Sequence, residues 1–134
     1  MSRENVEVVR RTYAEWARGN MKAGVEFFDA QIVFESFMPD STERVVAKGP
    51  EAVEAFMREF LAQWRDYRLI GEDFREVGPS HVAVSGYQTA TGRVSGIATF
   101  DSMCSVWAFR NGRVVRLVFE RDMANALEAV GLPE

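Results

Sequence analysis

The chain has 134 residues, 47% of them hydrophobic and 27% charged, with a formal net charge of −4. That size and composition suit a single globular domain spanning 1–134, with a core that needs no staples. No basic run exceeds two residues, which argues against a nucleic-acid groove. The only cysteine, Cys104, can form no intrachain disulfide, and no apolar run reaches the ~20 residues of a membrane span or resembles a signal-peptide core. A soluble, cytoplasmic protein is expected.

Val6, Val9, Tyr13 and Trp16 recur on one helical face, predicting a helix over about Arg3 to Arg18. Gly19 ends it, and Asn20 is placed to cap a short second helix carrying Met21, Val25 and Phe28. Gln31 to Met38 reads as a strand, Pro39-Asp40-Ser41-Thr42 as a turn, and Val45-Val46 as a short strand. Gly49-Pro50-Glu51 opens the clearest helix, because proline at the first helical position lacks only an N–H that would go unpaired anyway. Val53, Phe56, Met57, Phe60, Leu61 and Trp64 give it a full apolar stripe. Strands follow at about Tyr67–Val77, His81–Thr91 and Gly96–Phe109, and the last returns through Asn111-Gly112 into Arg113–Arg121. Asp122 caps a tail helix that ends at Gly131. The order predicts an α+β domain: three helices in the N-terminal half close a curved antiparallel sheet, and a short helix ends the chain.

The register of the last hairpin decides which residues share a face. A two-residue turn pairs Phe109 with Val114; a three-residue loop, with Gly112 left-handed, pairs Phe109 with Arg113. The three-residue loop gathers Met103, Ser105, Trp107 and Phe109 with Val115, Leu117 and Phe119, and sends Arg116 and Glu120 to the other face. Burying Trp and Phe stabilises by roughly 2–3 kcal/mol each, which favours that choice. It also sets Asp101 opposite Arg121 on the inner face. The outer face stays half apolar through Cys104, Val106, Val114 and Val118, and a second copy of the chain is the simplest cover for it.

Glu4-Asn5-Val6-Glu7-Val8-Val9-Arg10-Arg11, Arg18-Gly19-Asn20, Lys48-Gly49-Pro50-Glu51-Ala52-Val53, Val106-Trp107-Ala108-Phe109-Arg110-Asn111-Gly112-Arg113-Val114-Val115 and Ala126-Leu127-Glu128-Ala129-Val130-Gly131-Leu132 cover nearly the whole chain in order. In these stretches the chain resembles the SnoaL-like branch of the nuclear transport factor 2-like, or ketosteroid-isomerase-like, superfamily. The resemblance implies a cone of curved sheet around a pocket, and a homodimer through the outer sheet face. Among its activities the superfamily counts isomerases, polyketide cyclases, dehydratases and epoxide hydrolases. Ketosteroid isomerase combines a carboxylate base on the first strand, a tyrosine on the first helix and a protonated aspartic acid on the long strand. Counting along this chain places the base at Glu35, the tyrosine position at Thr12, one residue before Tyr13, and the acid position at Ser105.

The expected site therefore uses Glu35 as general base, with Asp101 and Arg121 as polar anchors or as a structural ion pair. Helical residues Tyr13, Trp16, Phe60 and Trp64 line the pocket, together with Met103, Ser105, Trp107, Leu117 and Phe119 from the hairpin. His81 beside the Gly78-Pro79-Ser80 turn has no companion ligands, and no phosphate loop or nucleophile elbow occurs, so neither metal nor cofactor is expected. The lead expectation is a cofactor-independent isomerase, cyclase or hydrolase acting by acid–base chemistry on a small apolar oxygenated molecule. The alternatives are a non-catalytic binder of such a molecule and a structural dimerisation module. Nucleic acid and membrane are not expected partners.

Overall fold

The computed structural model of the chain describes residues 2–37 and 43–132. Helix α1 (Ser2–Ala17) buries Val9, Tyr13 and Trp16 on the predicted face. The segment expected to form a second helix is instead a series of turns ending in one 3-10 turn, Val25–Phe27. Gly24 starts that turn at φ 94, a left-handed conformation that costs glycine little, and a Cβ there would sit 2.7 Å from Thr12 Cγ2. Strand β1 (Phe28–Phe37) alternates: Ile32, Phe34 and Ser36 are buried, while Val33 and Glu35 between them are half-buried. The expected turn at Pro39–Thr42 lies outside the described residues.

Strand β2 (Arg44–Lys48) pairs antiparallel with β1 and leads into helix α2 (Pro50–Ala62). Strands β3 (Trp64–Val77), β4 (His81–Gly92), β5 (Ala98–Arg110) and β6 (Arg113–Glu120) form the long meander, and helix α3 (Met123–Ala129) ends it. The six strands make one sheet in the order β2-β1-β6-β5-β4-β3. The predicted α+β architecture holds, with a further difference besides the missing second helix: β1 runs parallel to β6, with Phe34 beside Leu117 and Glu35 beside Val118, so the sheet is mixed. β2 and β3 are the two free edges, and α2, which joins them in sequence, packs against both. α1 lies across β3 and β4. There Gly71 faces Gly86, and a Cβ on Gly86 would sit 1.9 Å from the Ile70 carbonyl oxygen, while one on Gly71 would meet the Tyr13 ring. Two glycines in register let the sheet bend under α1.

The hairpin corrects the expected register. Asn111 (φ 53) and Gly112 (φ 77) are both left-handed, so the turn has two residues and pairs Arg110 with Arg113 and Phe109 with Val114. A β-bulge then slips the ladder, so that Ala108 faces Arg116, Trp107 faces Leu117 and Ser105 faces Phe119. The extra residue is Val115. It restores the predicted faces for Met103, Ser105, Trp107, Leu117 and Phe119, while Val114 is buried in place of Val115. A turn of one kind plus a bulge does the work expected of a longer loop.

The outer face is partly covered by the chain itself. Asp122 Oδ1 accepts the Asn125 amide at 2.8 Å and starts α3, whose Ala126 and Leu127 pack on Ala83 and Val106. Among the described residues no helix is long and apolar enough to cross a membrane.

Candidate functional site

The concave face of the sheet, the end of α1, the turns of Met21–Val25 and α2 enclose a cavity of about 400 Å³. Small-molecule sites commonly run from roughly 300 to 1,000 Å³. Each wall follows from a local rule. β1 sends in Phe34 and Ser36, β4 sends in Gln88, and the hairpin sends in Met103, Leu117 and Phe119. α2 lays Val53, Phe56, Met57 and Phe60 over the opening. Trp16 donates its indole N–H to the Ala23 carbonyl at 3.0 Å, which fastens the Met21–Val25 wall to α1. Aromatic rings run around the lining: Trp16 to Phe119 at 6.4 Å, Phe119 to Phe34 at 5.8 Å, Phe34 to Phe56 at 5.5 Å, and Phe60 to Tyr67 at 5.0 Å.

Three uncharged polar residues interrupt this apolar lining: Ser36, Tyr67 and Gln88. Gln88 is 2% exposed and accepts the Tyr67 hydroxyl at 2.8 Å. Its amide nitrogen makes no hydrogen bond among the described residues, so it is a free donor at an apolar wall. Burial holds the Tyr67 phenol well above its ordinary pKa, with a smaller contribution from Tyr13, so it stays a neutral hydrogen-bonding group.

The predicted residues are only partly brought together. Trp16, Phe60, Met103, Leu117 and Phe119 line the cavity. Tyr13, Ser105 and Trp107 do not; they form a hydrogen-bonded cluster behind the lining. Tyr13 Oη and Ser105 Oγ are 2.6 Å apart, and the Trp107 indole donates to Ser105 Oγ at 3.0 Å. Tyr13, and not the counted position Thr12, is thus the helical hydroxyl that meets Ser105, while Thr12 donates to the Val8 carbonyl of its own helix at 2.8 Å. Burial raises the Tyr13 pKa far above normal, outweighing the bonds from Ser105 and Trp107. Trp64 also lies off the cavity, and its indole nitrogen is buried with no hydrogen-bond partner.

The expected catalytic trio is corrected. Glu35 turns away from the cavity because its neighbours Phe34 and Ser36 take the inward positions of the strand. Its carboxylate accepts Arg116 Nε at 2.8 Å and Nη2 at 2.5 Å and pairs with Arg44, which also bridges to Glu120. Asp101 and Arg121 are not partners across the hairpin. The bulge shifts β6 along β5 and the ladder ends with Cys104 opposite Glu120, so Arg121 does not come opposite Asp101; its guanidinium lies 4.1 Å over the Phe37 ring, and Asp101 pairs with Gln88 on β4. Burial raises the Cys104 thiol pKa, opposed by a bond from Ser85, and lowers the pKa of His81, whose Nδ1 lies 3.3 Å from Ser80 Oγ. No group of three or more His, Cys, Asp or Glu residues that could hold a metal ion occurs among the described residues.

Sequence reasoning missed Ser36, Tyr67 and Gln88. The two-residue alternation of β1 and β4 carried the signal for two of them: Ile32 and Phe34 precede Ser36, and Val82, Val84 and Gly86 precede Gln88.

A family model described as SnoaL-like domain matches residues 9–117. The chain belongs to that family, with the nuclear transport factor 2-like fold. Among solved structures it is similar to a nuclear transport factor 2-like protein of unknown function from Burkholderia pseudomallei, at 23% identity over 95% of this chain and 97% of that one, with a TM-score of 0.76. It is also similar to a protein from a soil-derived mobile gene cassette, at 25% identity over 93% and 94% of the two chains, with a TM-score of 0.78. A candidate polyketide cyclase from Xanthomonas campestris shares 14% identity over 93% and 96%, with a TM-score of 0.70. No curated protein matches the sequence significantly.

Proposed function

We propose that this chain binds a small, largely apolar molecule carrying a carbonyl or comparable acceptor oxygen. The observation that carries the reading is the free amide of Gln88, set beside Tyr67 in an otherwise aromatic and aliphatic cavity. That amide reaches the cavity surface and is not sealed in protein, so a ligand oxygen can accept from it while the rings take up the apolar body. Organic extraction of the purified protein followed by mass spectrometry is expected to release a ligand of this kind. A thermal-shift screen of apolar ketones and quinones is expected to raise Tm, and the Gln88→Leu variant to respond less. A protein that yields no ligand and is stabilised by none of these compounds would refute the reading.

Acid–base turnover as an isomerase, cyclase or hydrolase is the second reading. It draws support from the likeness to a candidate polyketide cyclase and from Glu54, the one carboxylate among the described lining residues. Any such turnover is expected to vanish in Glu54→Gln and to survive in Glu35→Gln.

A further inference from the structure

We infer that the ligand carries one anionic group, a carboxylate in the simplest case, held at the mouth of the cavity by Lys22 and Arg58. The inference rests on the small-molecule reading above and adds the charge of the molecule and the end from which it is held.

Three lining residues are charged, Lys22, Glu54 and Arg58, and all three are solvent-exposed, so they mark the rim while the interior stays neutral. Lys22 lies in the wall between α1 and the 3-10 turn; Glu54 and Arg58 lie one turn apart on α2. The rim thus carries cations from two different elements. None of the three makes a hydrogen bond or ion pair among the described residues. Glu54 and Arg58 stand in the spacing at which helical pairs commonly form, yet they are not joined. Other cations near the sheet are engaged, Arg44 and Arg116 with Glu35, Arg93 with the Ala62 and Trp64 carbonyls, and Arg113 with the Glu26 and Phe28 carbonyls, so what sets Lys22 and Arg58 apart is their place on the cavity lining.

Counting Glu54, the rim carries a single positive charge on a chain whose net charge is −4. A monoanion balances it, whereas a dianion would be left in excess. Arg58 offers a planar fork suited to a carboxylate, and Lys22 a mobile point charge. The low-dielectric walls focus the field at the opening. A molecule with its apolar body among Phe34, Phe60 and Phe119 would leave its charged head in water between the two cations.

The test compares decanoate with 1-decanol as competitors of the neutral fluorophore 1-aminoanthracene, on the full chain near pH 7.5. Decanoate is expected to bind roughly five- to ten-fold more tightly than the alcohol, with the ratio shrinking in 0.5 M salt. In the K22Q/R58Q double variant, where Glu54 is the charge left at the rim, the ratio is expected to fall to one or below. A wild-type ratio near one, or a ratio that survives in the double variant, would overturn the inference. A chain that takes up neither the fluorophore nor the alcohol fails earlier, at the cavity itself, and that result is distinct from loss of the ratio alone.

Discussion

Glu35 shows how one position decides between two chemistries. A carboxylate that follows an apolar run becomes a base with a raised pKa if it enters the cavity, and a structural anion if it does not. Here it accepts both nitrogens of Arg116 that face it and shares Arg44 with Glu120. Glu35→Ala is expected to lower stability by about 1–2 kcal/mol, measured by urea unfolding, while leaving ligand-induced Tm shifts as large as in the wild type. Tyr13 and Tyr67 make a second residue-scale case. Their folded pKa values lie above the unfolded value of about 10. Above pH 10 the unfolded chain therefore loses these protons while the folded chain keeps them, and stability present below that pH drains away as pH rises. Tm is expected to fall more between pH 9 and 11 in the wild type than in Tyr13→Phe, which begins lower by about 1 kcal/mol for its lost bond to Ser105.

At the scale of elements, the apolar periodicity of α1 and α2 was readable because both helices bury one face against the sheet. The faces of the hairpin were readable too, since Trp107 and Leu117 have to be buried wherever the turn falls. The mechanism was not, because a bulge at Val115 leaves no mark in a run of Val-Val: either valine fits either face. The second helix failed for a related reason. Met21, Val25 and Phe28 have helical spacing, but Gly19 and Gly24 sit at positive φ, and the Ala23 carbonyl is taken by Trp16. Among the pocket residues, size found Trp16, Phe60, Met103, Leu117 and Phe119 but also pointed to Tyr13, Trp64 and Trp107, which lie off the cavity, and it missed Phe34 and Phe56; Ser36, Tyr67 and Gln88 were passed over because isolated polar residues in strands look like solvent-facing ones. The bend between β3 and β4 depends on Gly86, and Gly86→Ala is expected to cost about 2–3 kcal/mol, seen as a lower urea midpoint. Gly78→Ala, with nothing within 4 Å of the added carbon, is expected to cost less, the penalty there being confined to its φ of 66.

For the molecule as a whole, α3 already covers Ala83 and Val106, so the convex face has less to offer a partner than its sequence implied. Among the described residues Val46, Val94, Ile97 and Phe100 are the exposed large apolar side chains, and Phe100, 68% exposed and near Ile97 at 64%, stacks on half-buried Tyr87 with the rings 4.9 Å apart. We propose that a second copy covers this patch. Light scattering at micromolar concentration is expected to give about twice the 15.2 kDa chain mass, and Phe100→Asp to return it to that of one chain. A monomer in the wild type would show that the patch has some other role.

The parallel seam between β1 and β6 has a consequence in time. Phe34 emerges from the ribosome well before its sheet neighbour Leu117, and the strands between them are made in the interval. Until then β1 can pair only with β2, and its other edge stays open to the wrong strands, including those of other nascent chains. Contacts this distant in sequence are slow to find. The binding chamber therefore cannot close before β6 is made, and a chain stalled just short of β6 would expose rings that later surround its ligand.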